Sequence, residues 1–234
     1  MNNDEINLTN DTYALHRILK TDIKKDPNVE EDEIIFGCGC FWGAEKCFWK
    51  LPGVITTSVG YAGGEKNNPT YYEVCSGLTG HSEVVRVIWD KREIDVSDLL
   101  KMFWECHDPT QKNRQGNDTG TQYRSTIYYK NENNIKTILA SKEQYQTELS
   151  KKNLGLIETE IKMIDSYFYA EQYHQQYLAS AGSRQYCSAS PTKVKLGVFT
   201  GSNYKLEDHI WENFNWEVDK CVLRSDNNPI KNNI

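Results

Sequence analysis

The chain has 234 residues, of which 38% are apolar, 12% aromatic and 26% charged. That composition supports a globular domain with a substantial core and excludes a chain that is disordered throughout or embedded in a membrane. Its 27 Lys and Arg against 33 Asp and Glu leave a net charge of −6, which favours solubility and speaks against a nucleic-acid partner, and no apolar run approaches the roughly 20 residues that span a bilayer.

Residues 1–32 are polar and end in the acidic run that continues through Glu33. They lack the apolar stretch of a secretory signal and are too acidic for a mitochondrial transit peptide, so a cytoplasmic protein with a solvated, partly disordered N-terminal extension is expected. Glu33 to Gly37 reads as a short buried strand. Phe41, Ala44, Phe48 and Leu51 predict a helix stopped by Pro52-Gly53. Val54 to Tyr61 and Val84 to Trp89 read as strands. Val96, Leu99, Leu100, Phe103 and Trp104 fall on one face of a second helix. A strand from Ser125 to Tyr129, a helix from Glu132 to Leu149 and a strand from Thr159 to Ile164 follow. The order β-α-β-β-α-β with an extra helix predicts an α+β, two-layer sandwich. Its core is a split β-α-β (ferredoxin-like) unit in which helices pack on a mixed sheet. Residues 181–192 are small and turn-prone, a mobile loop by composition, and 193–234 form a long C-terminal coil or tail.

Seven cysteines at irregular spacing (Cys38, Cys40, Cys47, Cys75, Cys106, Cys187, Cys221) read as reduced thiols, some of them reactive. The most informative segment is Gly37-Cys38-Gly39-Cys40-Phe41-Trp42-Gly43-Ala44-Glu45, at the junction of the first strand and first helix. A cysteine in that turn meets unpaired backbone N–H groups and the positive end of the helix dipole, which favour the nucleophilic thiolate. Phe41 and Trp42 beside it offer an aromatic wall suited to a methyl or thioether group. A buried structural cysteine among core aromatics is the plain alternative. His81, His107 and His174 are spaced 26 and 67 residues apart and match no compact metal pattern, so no metal site is expected.

The string Gly39-Cys40-Phe41-Trp42-Gly43 resembles the signature of the A-type peptide methionine sulfoxide reductases. Further blocks resemble the same family, in order: Gly60-Tyr61-Ala62-Gly63-Gly64, Asn68-Pro69-Thr70-Tyr71, Gly80-His81-Ser82-Glu83-Val84, Phe103-Trp104 with His107-Asp108-Pro109, Arg114 to Asp118, Gly120 to Ser125, and Tyr169 to Tyr177. The resemblance covers roughly residues 33–187. It implies reduction of methionine S-sulfoxide, free or in peptides and proteins, by a monomer without cofactor or metal. Cys40 would be the nucleophile that becomes a sulfenic acid, Glu83 the acid, Tyr71 and Tyr123 the phenols that hold the sulfoxide oxygen, and Asp118 a pocket carboxylate that orients Tyr123. A carboxyl in an apolar pocket stays neutral more readily and can donate a proton near neutrality.

The resemblance aligns Cys187, after Tyr186, with the thiol that resolves the sulfenic acid, giving a disulfide that thioredoxin reduces. Cys221 and Cys38 are the alternatives. Cys47, seven residues beyond Cys40 on one helix, lies roughly 10.5 Å away, outside the roughly 7 Å Cα reach of a disulfide. The implied organisation is a charged extension at 1–32, a catalytic domain at 33–190 and a tail at 191–234 carrying a possible relay cysteine. Two other readings of the same residues stand beside this one: a Cys-His acyl-transfer hydrolase with Cys40 activated by His81 or His107, and a non-catalytic binder of oxidised methionine.

Overall fold

In the computed structural model, which describes residues 15–218 and 221–232, the first strand β1 (Glu31–Cys38) lies inside a six-stranded sheet. It is followed by α1 (Phe41–Trp49), β2 (Val54–Ala62), α2 (Tyr71–Cys75), β3 (Ser82–Asp90) and α3 (Val96–Cys106). A two-stranded ribbon of β4 (Arg114–Gln115) and β5 (Asp118–Thr119) precedes β6 (Ser125–Tyr129), α4 (Ile135–Lys151), β7 (Glu160–Met163) and β8 (Tyr167–Tyr169). Two short helices, α5 (Asp208–Trp211) and α6 (Cys221–Arg224), lie near the C-terminus. The sheet order is β7-β6-β1-β3-β2-β8. Every pairing in it is antiparallel except β6 with β7, so the sheet is mixed, as expected. No helix among the described residues is long and apolar enough to cross a membrane.

Side-chain alternation decides what each strand presents. On β1, Ile34, Phe36 and Cys38 enter the main core while Ile35 enters a smaller cluster with Ala62, Val84 and Tyr128. On β3, Val85, Val87 and Trp89 face the main core, and Glu83 shares their parity, which places a carboxyl on the core side of the sheet. Phe36 is stacked between Phe48 of α1 (4.8 Å) and Phe103 of α3 (5.1 Å), so the two helices meet the sheet around one aromatic layer.

Two sequence expectations need correction. The extension is not free in solvent from residue 15 onward. His16 is fully buried, within 2.9 Å of the Thr57 hydroxyl and edge-on to Trp49, and Ile23 is buried too. Arg86, buried in β3, donates to Glu33 (2.5 Å) and to the Lys25 carbonyl (3.1 Å). A buried guanidinium needs several acceptors, and the charge-rich segment supplies one of them from its backbone. The part of the extension before residue 15 lies outside the described residues.

The segment 181–207 forms no helix or strand, yet it is packed rather than loose, with Cys187, Leu196, Phe199 and Leu206 buried. Buried side chains satisfy its backbone in place of a ladder. Glu105 accepts from Leu196 N (2.9 Å), Asp98 from Lys205 N (3.0 Å) and Gln115 from Ser190 N (3.1 Å). Further on, the carbonyls of Ser225 and Asn227 accept from Lys46 and Trp49 on the back of α1. Small-residue composition signalled the missing secondary structure but carried no sign of these long-range partners.

Candidate active site

The turn from β1 into α1 depends on Gly39. Its φ is +86°, and a Cβ there would sit 2.5 Å from the Gln115 side chain, so only glycine joins strand to helix this tightly. Cys40 caps α1 in an extended conformation, with Trp42 N–H directed at its sulfur. Only 8% of Cys40 is exposed. Burial, followed by the charge of Glu83, pushes the thiol well above its ordinary value, and the Trp42 N–H offsets this only in part. The expectation of a resting thiolate is therefore corrected: the helix terminus acts in the expected direction, but desolvation outweighs it. Cys40 rests as a thiol.

Glu83, at the start of β3, is 2% exposed and accepts a hydrogen bond from Phe41 N (3.1 Å). Burial pushes its carboxyl up to about 8, helped by the nearby charge of Asp118 and opposed by the Phe41 N–H. At neutral pH it is mostly the neutral acid. A neutral Glu83 also removes much of the charge that raises Cys40, so the two groups cannot comfortably ionise together.

Cys40, Phe41, Trp42, Tyr71, Glu83, Asp118 and Tyr123 all line a single cleft. They come from α1, α2, β3, the β5 strand and a 3₁₀ turn (Thr121–Tyr123), so the sheet and its connections gather residues up to 83 positions apart. Tyr71 is fixed by its own N–H to Glu171 (2.9 Å), and Glu171 also accepts from the Tyr61 hydroxyl (2.7 Å). Tyr123 ends a turn held to β3 by Ser82 Oγ, which donates to the Gln122 carbonyl (3.1 Å). Burial, then the charge of Glu83, raises both phenols, so each remains an O–H donor.

Several residues that shape this cleft were given no role in it from sequence. Tyr177 stacks on Trp42 at 3.9 Å, and His174 Nδ1 accepts from Trp42 Nε1–H (3.1 Å) while packing against Phe41 and Tyr71. Burial lowers His174 to about 4, which keeps the ring neutral and able to accept. Tyr186 donates to Asp118 (2.5 Å). Asp118 was expected to orient Tyr123, but the hydrogen bond the structure gives it comes from Tyr186, the neighbour of Cys187. Glu45, buried on α1, accepts from Gln176 N (2.8 Å), Gln176 Nε2 (2.7 Å) and Thr57 (3.0 Å), and so ties the helix to β2 and to the 172–179 segment. Glu45 and the stretch from Glu171 to Tyr177 stand inside quoted motif blocks, and that position was the only signal sequence offered.

Cys187 is buried with its sulfur against the backbone of α1, where a Cβ on Gly43 would lie 2.5 Å from it. Gly43 is three residues after Cys40, on the same helix face. Gly43→Ala is expected to lower stability by roughly 1–3 kcal/mol through overpacking, measured as a drop in the urea midpoint at unchanged slope. No histidine activates Cys40 among the described residues. His81 packs edge-on to Phe168 and His107 is held between the Phe103 carbonyl (2.7 Å) and Ser125 (2.7 Å), so neither is hydrogen-bonded to Cys40, which counts against the hydrolase reading. Cys38, Cys106 and His107 bring possible metal-ligand atoms within 4.8 Å of one another, but both nitrogens of that histidine are already engaged. Cys221 begins α6, and its side chain lies outside the described residues.

The model of the peptide methionine sulfoxide reductase family matches residues 32–204. The chain is 52% identical over 180 residues to a peptide methionine sulfoxide reductase MsrA of Vibrio vulnificus, covering 77% of this chain and 86% of that one. It is 56% identical over 164 residues to the MsrA of Azotobacter vinelandii, covering 70% and 76%. Among solved structures, methionine sulfoxide reductase A of Corynebacterium diphtheriae superposes with a TM-score of 0.66 at 42% identity, covering 78% of this chain and 88% of that one. Reduced Mxr1 of Saccharomyces cerevisiae gives 0.64 at 34% identity, covering 70% and 92%.

Proposed function

Because the chain belongs to the peptide methionine sulfoxide reductase family, we propose that its reduction of methionine sulfoxide runs through Cys40, with Glu83 as the acid and Tyr71 and Tyr123 as donors to the sulfoxide oxygen. The observation that carries this assignment is the convergence of a thiol, a neutral buried carboxyl and two phenols on one cleft walled by Phe41 and Trp42. The aromatic wall receives the thioether methyl, and the phenols stabilise charge as it builds on oxygen. A wall on one side and proton donors on the other distinguish the two faces of the sulfoxide, which supports selection of one epimer, and the family resemblance makes it the S epimer.

Cys40 sulfur attacks the sulfoxide sulfur while Glu83 protonates the oxygen. The hydroxyl so formed then passes from the substrate sulfur to the Cys40 sulfur as the substrate's sulfur–oxygen bond and the new bond between the two sulfurs both break, leaving a sulfenic acid on Cys40 and releasing methionine. The proton of the Cys40 thiol restores Glu83, so the carboxyl acts as a shuttle and a resting thiolate is not needed. Cys187 then attacks the sulfenic sulfur, water departs, and a Cys40–Cys187 disulfide forms. An external dithiol of the thioredoxin type reduces it by exchange. Cys187 is preferred to Cys38, which faces the main core. The chemistry calls for no metal or prosthetic group, and nothing in it requires more than a monomer.

The split β-α-β reading of the core is supported by the order β6-β1-β3-β2 of its four central strands, with antiparallel pairing throughout. We read 33–190 as the catalytic domain and 191–234 as a tail packed on it. Asp118 holds the Tyr186–Cys187 segment over the cleft through the Tyr186 hydroxyl.

The test is a single-turnover measurement. Cys187→Ser is expected to reduce about one equivalent of a methionine sulfoxide peptide and to stop turning over with thioredoxin. Turnover of that variant at the wild-type rate would remove Cys187 from the resolving role. A wild-type chain that bound the peptide without reducing it in excess dithiothreitol would instead support the binder reading.

A further inference from the structure

Cys38, Cys47, Cys106 and Cys187 line one small cavity behind α1, separate from the substrate cleft. Cys187 stands at the partition, because its neighbour Tyr186 lines the cleft while Cys187 itself lines the cavity. On α1 the spacing is regular: Cys40, then Gly43 bearing the Cys187 sulfur, then Cys47, at i, i+3 and i+7 on one face. Cys106 touches both of the other interior thiols, sharing side-chain hydrogen bonds with Cys38 and Cys47. The sulfurs of Cys38 and Cys106 lie within 4.8 Å of each other.

Cys187 acts electrostatically on both Cys40 and Cys106, so the thiols lead from the edge of the cleft into the core. Three of them, Cys38, Cys47 and Cys106, are absent from the reaction as described, and all three are reduced. A metal is a poor occupant, since His107 has no nitrogen to spare and an apolar interior disfavours the thiolates a metal needs. Disulfide exchange asks only for sulfurs in contact and some room to move.

We propose that Cys106 and Cys38 form an interior electron store that recharges the active site through Cys187. The inference rests on the assignment of Cys40 and Cys187 made above. After one turnover the Cys106 sulfur attacks Cys187: the Cys106–Cys187 bond forms, the Cys40–Cys187 bond breaks, and the Cys106 proton passes to the Cys40 sulfur it frees. Cys38 then attacks Cys106, the Cys38–Cys106 bond replaces Cys106–Cys187, and the Cys38 proton passes to Cys187. Both exchanges conserve electrons and protons within the chain. Cys40 and Cys187 are again thiols, and a second sulfoxide can be reduced before any external reductant arrives. An external dithiol later reverses the route.

The experiment is a reductant-free burst. Prereduced protein, freed of thiol, is mixed with excess methionine sulfoxide peptide, and reduced peptide released per chain is counted. About two equivalents are expected from the wild type and from Cys221→Ser, and about one from Cys106→Ala and from Cys38→Ala. The single equivalent from Cys106→Ala also certifies that the variant is folded. Proteolytic mapping of the exhausted wild type is expected to yield a peptide crosslinked between Cys38 and Cys106. One equivalent from the wild type, two from Cys106→Ala, or a bridge from Cys106 to Cys47 would each overturn the store. Failure of the underlying site looks different: Cys40→Ser would release product.

Discussion

Glu83→Ala is expected to slow peptide sulfoxide reduction by about 10²–10⁴-fold in kcat, the range that a positioned proton donor contributes, with a much smaller change in KM. In the proposed mechanism Glu83 protonates the oxygen that leaves, whereas Phe41 and Trp42 supply the surface that binds the thioether. Glu83→Gln should fall between, because an amide donates a hydrogen bond but transfers no proton. The pH dependence carries the sign. Burial holds the carboxyl at about 8, so the active neutral form dominates below that value and is lost above it. Wild-type kcat is expected to be level around neutrality and to fall as the pH rises through about 8, while Glu83→Gln shows no such fall. A wild-type profile that instead rises through pH 8 would mean that thiolate formation, not proton donation, limits the reaction.

The same group links to folding. A carboxyl raised from its ordinary value of 4.5 to about 8 in the folded chain binds a proton there that the unfolded chain releases. Its contribution to stability is complete below about 4.5 and is lost as the pH climbs to about 8, at up to about 1.4 kcal/mol per pH unit. Glu45, raised to about 7 by burial, adds a second loss over a narrower window. His16, His107 and His174, held at about 3, 4 and 4, work in the opposite sense below their unfolded value of 6.5. The slope between pH 7 and 8 therefore reports mainly on Glu83. Urea unfolding of wild type and Glu83→Gln across that interval should show the wild type losing stability and the variant holding it.

How much of this could be read from the chain itself depended on the range of the interactions involved. The strand Glu33–Gly37, the helix from Phe41 and the helix from Val96 are set by apolar spacing within ten residues, and they appear with their ends shifted by a residue or two. The three-residue β8 and the two-residue strands β4 and β5 left no periodic trace, because pairing with a distant partner defines them. The site residues that stood in contiguous blocks, such as Glu83 behind Gly80-His81-Ser82, were visible as pattern and arrived in one cleft. What the pattern could not convey was balance. The helix terminus beside Cys40 was legible, but the depth of burial that overrides it was not, since burial depends on β3, α2 and the 171–187 segment closing over the same sulfur. The meeting of the interior thiols was hidden for the same reason: Cys38, Cys47 and Cys106 sit on three elements that come together only in the folded core.

Cys40→Ser is expected to abolish turnover completely, with no peptide reduction above background even in excess dithiothreitol, while the variant still binds the sulfoxide peptide. A hydroxyl is smaller than a thiol, so the first turn of α1 accommodates it, and the cleft walls at Trp42, Tyr71 and Tyr123 do not depend on the sulfur for their positions. Binding measured by calorimetry should therefore survive. The chemistry cannot. Sulfur is a soft centre that a polarisable nucleophile attacks readily, and an alcohol in this setting is far harder to deprotonate than the already reluctant thiol. Serine also has no counterpart to the sulfenic acid, so even a forced first step would leave nothing for Cys187 to resolve. In the proposed mechanism the buried Cys40 thiol reacts despite its raised pKa because Glu83 gives a proton to the oxygen as the Cys40 proton is released to Glu83. That exchange keeps net charge low inside a poorly solvated cleft, where separated charges are most costly. Retained binding with zero reduction isolates the sulfur as the reacting atom. Residual reduction in the Cys40→Ser chain would transfer the role to another thiol and break the pairing of Cys40 with Glu83 on which the cycle is built.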